Sequence, residues 1–185
     1  GCRVVVLTIV VLTSLILPIA PATLPAVSSA SASIRRISRP LARLMSPGYR
    51  PCDVGYSRVG FWVQDFDQTL ERLATLGTPP LTAPIGKAGE RRVCVRNPEG
   101  VFIEVMEDDP LRGRSRDARP DCGVAARSVS LSVPDLEKSR HFFMGALGMA
   151  ESTAALRRPE HEALWGLAGA TTRSVVLEAG NVLVE

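Results

Sequence analysis

Apolar and polar positions alternate along VGFWVQDFDQT (Val59 to Thr69), and the pattern returns in VSLSVPDLEKS (Val129 to Ser139) at an offset of 70 (129 − 59). A period of two predicts a half-buried strand in each copy. Val59, Phe61 and Val63 fall on one face of the first strand, with Arg58, Gly60 and Trp62 on the other. In the second strand Val129, Leu131 and Val133 share a face, opposite a row of Ser128, Ser130 and Ser132. Beyond each strand the period lengthens. Asp65 and Asp135 stand at helix N-cap positions, where a side-chain oxygen accepts from the free N–H groups of the first turn. Leu70, Leu73 and Leu76 then form an apolar stripe closed by Gly77. Leu136, Phe143 and Leu147 form its counterpart, closed by Gly148.

A second pair of matching segments follows the helices. RVCVRNPEGVFIE (Arg92 to Glu104) corresponds to RSVVLEAGNVLVE (Arg173 to Glu185) at an offset of 81 (173 − 92). Pro98-Glu99-Gly100 suits a three-residue hairpin loop with Gly100 in the left-handed conformation, a place that Asn181 takes in the second copy. This register sets Cys94 opposite Glu104. It makes Arg92 and Arg96 the diagonal neighbours of Glu104 at about 7–8 Å, within reach of long side chains. Arg173 is expected to stand in the same relation to Glu185. An ion pair therefore accounts for an acidic residue inside an apolar strand, with metal ligation as the alternative. Each unit reads strand, helix, strand and hairpin. The fold class expected is α+β, built from two βαβββ units.

The 185 residues divide accordingly: an apolar signal-like segment at 1–33, a linker at 34–54, the first unit at 55–108, a linker at 109–126 and the second unit at 127–185. Arg3, the apolar run VVVLTIVVLTSLIL, Pro18 and the small residues ending at Ala30-Ser31-Ala32 have the layout of a secretory signal. The expectation is export or membrane anchorage, with membrane contact through residues 3–20, if that segment is native, and a cytoplasmic protein otherwise. The chain lacks an initial methionine and stops within the apolar run NVLVE, so a fragment of a longer protein is expected.

Hydrophobic residues make up 45% of the chain, enough for a core, and the net charge of +3 is too small to argue for nucleic acid. The arginine clusters ASIRRISRPLARL and RGRSRDAR lack interleaved aromatics and read as linker. Four scattered cysteines (Cys2, Cys52, Cys94 and Cys122) form no C-x-x-C pair, which excludes the common zinc-ribbon spacings. In an exported protein Cys52 and Cys122 are available to pair. Cys94 reads as core or as a soft ligand. With only two histidines, His141 on a helix surface and His161 in the connection RRPEHEALWGL, imidazole-based metal chemistry has few donors.

The two βαβββ units, with DLEKSRHFFMGALGM after one first strand and RNPEGVFIEV at one closing hairpin, resemble the vicinal oxygen chelate superfamily. That group includes glyoxalase I, bleomycin-resistance proteins, extradiol dioxygenases and fosfomycin-resistance enzymes. The resemblance implies a curved sheet forming a cup around a divalent metal (zinc, nickel, manganese or iron), held by a His at the start of the first strand and a Glu late in the fourth. Glu104 and Glu185 match the fourth-strand positions. Arg58 and Ser128 stand where the histidines are expected. On this resemblance Glu104 and Glu185 are the candidate catalytic carboxylates and, with His161, the candidate metal ligands. For ligand binding it points to Trp62, Phe102 and Trp165 as apolar walls, to Arg58, Arg92 and Arg173 as orienting cations, and to Ser128 and Ser130 on the polar face.

Two functions follow, beside a purely structural role as a fused half-module. One is a glyoxalase- or dioxygenase-like enzyme whose metal site is completed by segments outside this chain. The other is a metal-free module of the bleomycin-resistance type that binds a small molecule. The implied partners are that small molecule and either a second copy of the chain or the missing modules.

Overall fold

Both helices begin where the aspartates stand. Strand β1 (Gly55–Val63) leads into helix α1 (Phe66–Thr75), where the Asp65 carboxylate accepts from the Gln68 N–H at 2.9 Å. Strand β4 (Val124–Ser132) leads into α2 (Leu136–His141), where Asp135 accepts from the Lys138 N–H at 3.0 Å. Helix α2 continues as one wide π turn, Phe142–Ala146. Gly77 and Gly148 close the two segments at φ 72° and 68°, a conformation that costs a residue with a Cβ. The predicted stripes hold at their first positions. Phe66, Leu70 and Leu73 pack with Val63, Val93 and Val105 between α1 and the sheet. They fail at their last positions, because Leu76 and Leu147 are each the residue at which the chain leaves the helix. Both side chains are exposed.

The computed structural model describes residues 48–112 and 123–185, all within one unit spanning Met45–Glu185. The signal-like segment, most of the linker before β1, the RGRSRDAR cluster beyond Arg112, Cys2 and Cys122 lie outside the described residues. Among those described, no helix is long and apolar enough to cross a membrane. Cys52 is a free thiol at the surface.

The remaining strands are β2 (Arg92–Arg96), β3 (Phe102–Met106), β5 (Ala150–Glu151), β6 (Leu177–Ala179) and β7 (Val182–Val184). Together they make one open, curved seven-stranded sheet in the order β2-β3-β1-β4-β7-β6-β5. β1 runs parallel to β3, β4 runs parallel to β7, and β1 meets β4 antiparallel at the centre. The fold class is the expected α+β arrangement, with the two units joined edge to edge.

Within each unit the strand after the helix is weaker than the sequence pattern implies. In the first it shrinks to a single bridge between Ile85 and Arg92, with one further bond from the Leu81 N–H to the Cys94 carbonyl. Pro79, Pro80 and Pro84 in that segment have no N–H to give a ladder. In the second it is the two residues of β5.

The first hairpin forms as expected, with Cys94 opposite Glu104, Gly100 at φ 88°, and the Asn97 carboxamide accepting from the Val101 N–H at 2.8 Å. The second departs from expectation. Ala179 pairs with Val182 across a two-residue Gly180-Asn181 turn, with Gly180 at φ 63°. The shorter loop changes the register, so the position opposite Glu185 falls to Val176. Arg173 is thereby removed from the same-face diagonal.

The helices cover one face of the sheet. On the concave face a 3₁₀ segment from the long connection between β5 and β6, Pro159–Trp165, folds back onto the first unit. Its Leu164 and Trp165 join Cys94 and Phe102 in a buried cluster with Tyr49, Ile85 and Leu167. The first half of the cup is filled by the protein itself. Leu111, Leu156 and Leu183 form a separate buried cluster.

At the sheet centre the pairing repeats about a local two-fold: Arg58 lies opposite Ser130, and Gly60 opposite Ser128. These positions are equivalent under the 70-residue offset. The arrangement needs a glycine at 60, because a Cβ there would sit 2.2 Å from Ser128 Oγ and 3.2 Å from Met106 Cε. Gly60→Ala is expected to lower stability by about 1–3 kcal/mol through overpacking. Urea denaturation should show most of that loss recovered in the Gly60→Ala/Ser128→Ala double variant, where the clashing oxygen is gone.

Candidate ligand-binding site

Because β1 and β3 run parallel with Gly60 beside Glu104, the Glu104 side chain emerges next to that of Arg58, two residues back on β1. Glu185 emerges at the end of β7, on the other side of β4. Arg58 reaches both. Its Nε donates to Glu104 Oε2 at 2.9 Å and its Nη2 donates to Glu185 Oε2, and all three side chains are about 4% exposed or less. Trp165 closes the guanidinium from above, with its ring centroid 4.1 Å from Arg58 Cζ. Burial opposes the charge on Arg58, but Glu104 and Glu185 outweigh it and hold the guanidinium protonated more firmly than usual.

The rest of the cluster completes this arrangement. Arg92 Nη1 donates to Glu104 Oε1 at 3.0 Å and to the Leu156 carbonyl at 2.6 Å, and Arg92 Nη2 lies 3.5 Å from Asp108. Arg157 Nε sits 2.6 Å from Glu185 Oε1, and its Nη1 donates to Glu162 Oε1 at 2.8 Å. Glu162 also accepts from Trp165 Nε1 at 3.2 Å and from the Thr172 hydroxyl at 2.7 Å. Ser130 Oγ donates to Glu185 Oε2 at 2.9 Å. Burial alone would push the Glu185 carboxyl up, yet Arg58, Arg157 and Ser130 together hold it below its ordinary value. Among the described residues, the guanidiniums of Arg58, Arg92 and Arg157 face the carboxylates of Glu104, Glu162 and Glu185. Such a buried network stands only when the ions are matched and hydrogen-bonded.

A divalent metal does not fit these residues. Both Glu104 oxygens and both Glu185 oxygens already contact guanidinium groups, and Arg58 occupies the space between the two carboxylates. A cation there would have to displace Arg58 and sit beside Arg92 and Arg157. No set of three His, Cys, Asp or Glu side chains among the described residues is arranged to hold a metal. His161 is buried in the 3₁₀ segment. Its Nδ1 accepts from the Arg158 N–H at 3.3 Å, which leaves the proton on Nε2, a buried atom with no hydrogen-bond partner. Burial, reinforced by Arg92, holds the His161 pKa below its usual value and keeps the ring neutral. Burial and then Glu104 push the Cys94 thiol up to about 12, so it is a core residue.

The open part of the cup belongs to the second unit. A hollow of about 230 Å³ is lined by Arg58, Ser130, Ser132, Trp165, Arg173 and Glu185, among others. Of the residues proposed from sequence for ligand binding, Arg58, Ser130, Trp165 and Arg173 are thus brought to one place. Phe102 is instead core, with Arg96 stacked 4.0 Å from its ring centroid. Ser128 is buried against Gly60, and Arg92 lies in the ion network behind the hollow. Trp62 sits half-buried on β1 beside Met106 and does not line the hollow. Arg173 reaches the rim and leaves Glu185 to Arg157. Sequence reasoning passed over Arg157 and Glu162. Their signal was the density of alternating charge in RRPEHEALW around a Leu and a Trp, since apolar residues that bury such a segment bury its charges too.

No family model matches the chain, and no curated protein matches it. Among solved structures it is similar to methylmalonyl-CoA epimerase from Mycobacterium tuberculosis, at a TM-score of 0.43 and 20% identity over 70% of this chain and 84% of that one. It is similar to glyoxalase I from Zea mays at 0.43 and 20%, over 70% of this chain and 42% of that one, less than half the maize chain. Methylmalonyl-CoA epimerase from Streptomyces coelicolor aligns at 0.42 and 13%, over 71% of this chain and 95% of that one. These likenesses concern the fold alone. What the structure itself shows is one open, curved seven-stranded sheet in which the two halves pair through β1 and β4, the α+β arrangement expected from the sequence.

Proposed function

We propose that the chain binds a small polar molecule in the hollow of its second unit without a divalent metal, as in the bleomycin-resistance type of module. The observation that carries this reading is the single guanidinium of Arg58 bridging Glu104 and Glu185. These are the carboxylates that the family resemblance assigns to the metal. With Arg58 supplying the positive charge, the carboxylates orient fixed groups of the protein and are not free to move a proton. The filled first half and open second half of the cup favour one ligand per chain.

The test has two arms. Chelator-treated protein is dialysed against zinc, nickel and manganese, and bound metal is quantified. The expected result is no stoichiometric uptake. One equivalent held at sub-micromolar affinity and lost in Glu104→Gln would overturn the metal-free reading. In parallel, a fragment library is screened by tryptophan emission in the Trp62→Phe variant, which keeps Trp165 as its one tryptophan. Polar fragments are expected to shift that emission.

A further inference from the structure

We infer that the ligand of this hollow is a hydroxylated or aminated carboxylate, a molecule that brings hydrogen-bond donors to the sheet and one anionic group to Arg173. The inference rests on the binding reading above and narrows it to a chemical class.

A serine or threonine hydroxyl has one proton and two lone pairs. Five serine and threonine hydroxyls line the hollow; Ser174 is exposed beside Arg173 at the rim, and the other four have that proton already committed. Ser57 donates to the Ser130 carbonyl at 3.1 Å, Ser132 donates to the Pro51 carbonyl, Ser130 donates to Glu185 at 2.9 Å, and Thr172 donates to Glu162 at 2.7 Å. Every acceptor in that set is a carbonyl or a carboxylate paired with arginine, so none returns a proton. Toward the hollow these hydroxyls therefore offer lone pairs only. The Glu162 and Glu185 carboxylates, which also line it, accept only as well.

The cations of the wall divide differently. Arg58 is spent on Glu104 and Glu185, and Arg157 on Glu162 and Glu185. Arg173 is the lining guanidinium that no carboxylate engages among the described residues, and it stands exposed at the rim. The site thus has an accepting floor and a cationic lip. A ligand made only of acceptors, such as an ether or ester, would lose water against that floor and gain no hydrogen bond in return. Each ligand O–H or N–H would instead find a lone pair, and an acid group would find Arg173. A planar aromatic ligand is poorly served, because Trp165 is buried against Phe102 and Cys94 with Arg58 over its ring. The hollow has room for about eight waters' worth of liquid, which sets the scale of the molecule.

The experiment is an NMR titration of the isotope-labelled full chain with four probes: gluconate, hexanoate, sorbitol and methoxyacetate. Gluconate combines donors with a carboxylate. Hexanoate has the acid group without donors, sorbitol has donors without the acid, and methoxyacetate pairs the acid with an acceptor. Gluconate is expected to bind about tenfold more tightly than any of the others, the worth of one charge-assisted hydrogen bond. Arg173→Ala should bring gluconate down to the level of sorbitol. Hexanoate or methoxyacetate binding as tightly as gluconate would overturn the inference and leave the hollow standing as a binding site. The inference falls equally if all four fail while an aromatic or cationic fragment binds there. Failure of every fragment class to perturb the hollow would overturn the binding reading itself.

Discussion

Arg58→Met is expected to lower stability by about 3–5 kcal/mol at neutral pH, and the loss should shrink on acidification. The side chain is replaced by one of similar length, so packing against Trp165 is largely kept and the change isolates the charge. Glu104 and Glu185 then remain buried beside Arg92 and Arg157 with the bridge between them gone. In the parent protein the Glu185 carboxyl lies below its ordinary value, so the folded chain binds fewer protons at that group than the unfolded chain. That contribution is present above the unfolded pKa and is lost as pH falls through the folded one. In the variant burial is opposed at Glu185 only by Arg157 and Ser130, so the folded form holds a proton there more readily than the parent does and gains less from ionisation. The difference between parent and variant therefore fades as pH falls through the parent's folded value. Urea denaturation at pH 7.5, 5.5 and 4.5 reads both the size and the sign. A loss under about 1 kcal/mol, the range of an exposed pair, or a loss that does not change with pH, would count against the bridge. Arg58→Lys should fall in between, since one ammonium cannot present two separated donors to two carboxylates.

Trp165→Ala carries the second large effect, again about 3–5 kcal/mol. Here the cause is volume. Trp165 is 5% exposed and packs with Cys94, Phe102 and Leu164, the contact through which the 3₁₀ segment is anchored on the first unit. Its loss opens a cavity there, uncovers the Arg58 guanidinium and takes a donor from Glu162. Trp165→Phe restores most of the packing but not the Nε1–H, and should cost about 1–3 kcal/mol for the missing partner of a buried acceptor. Thermal unfolding that ranks the two variants equally would show that the ring fills no essential space.

Much of this fold could be read along the chain because its determinants are local. Asp65 and Asp135 act within three residues of themselves, and the first hairpin is set by Asn97 and Gly100. Arg92 reaches Glu104 across that hairpin, so the expected ion pair was within view. The bridge was not, since Arg58 lies 46 residues from Glu104 and 127 from Glu185. Strand alternation put Arg58 on the cup face without naming a partner. The second hairpin misled because Asn181 can adopt the conformation that Gly180 in fact takes, and the one-residue difference moved Arg173 from a charge partner to a rim residue. The connection carrying Arg157 and Glu162 has neither strand nor helix periodicity. Its place over the cup follows from Leu164 and Trp165 finding the apolar surface of β2 and β3, a long-range match that no local pattern encodes.

The proline-rich segment before β2 has a consequence for how the chain behaves in company. β2 is an outer strand, and an outer strand normally offers a row of free backbone groups to any passing strand. Here Leu81 and Ile85 occupy the outward groups of Arg92 and the Cys94 carbonyl. Pro79, Pro80 and Pro84 leave the covering segment without the donors that a further strand would need. The sheet is therefore closed to growth along that side, and edge-to-edge aggregation through it is blocked by covalent structure instead of by charge. At the far side the limit is length, since β5 offers two residues and no more.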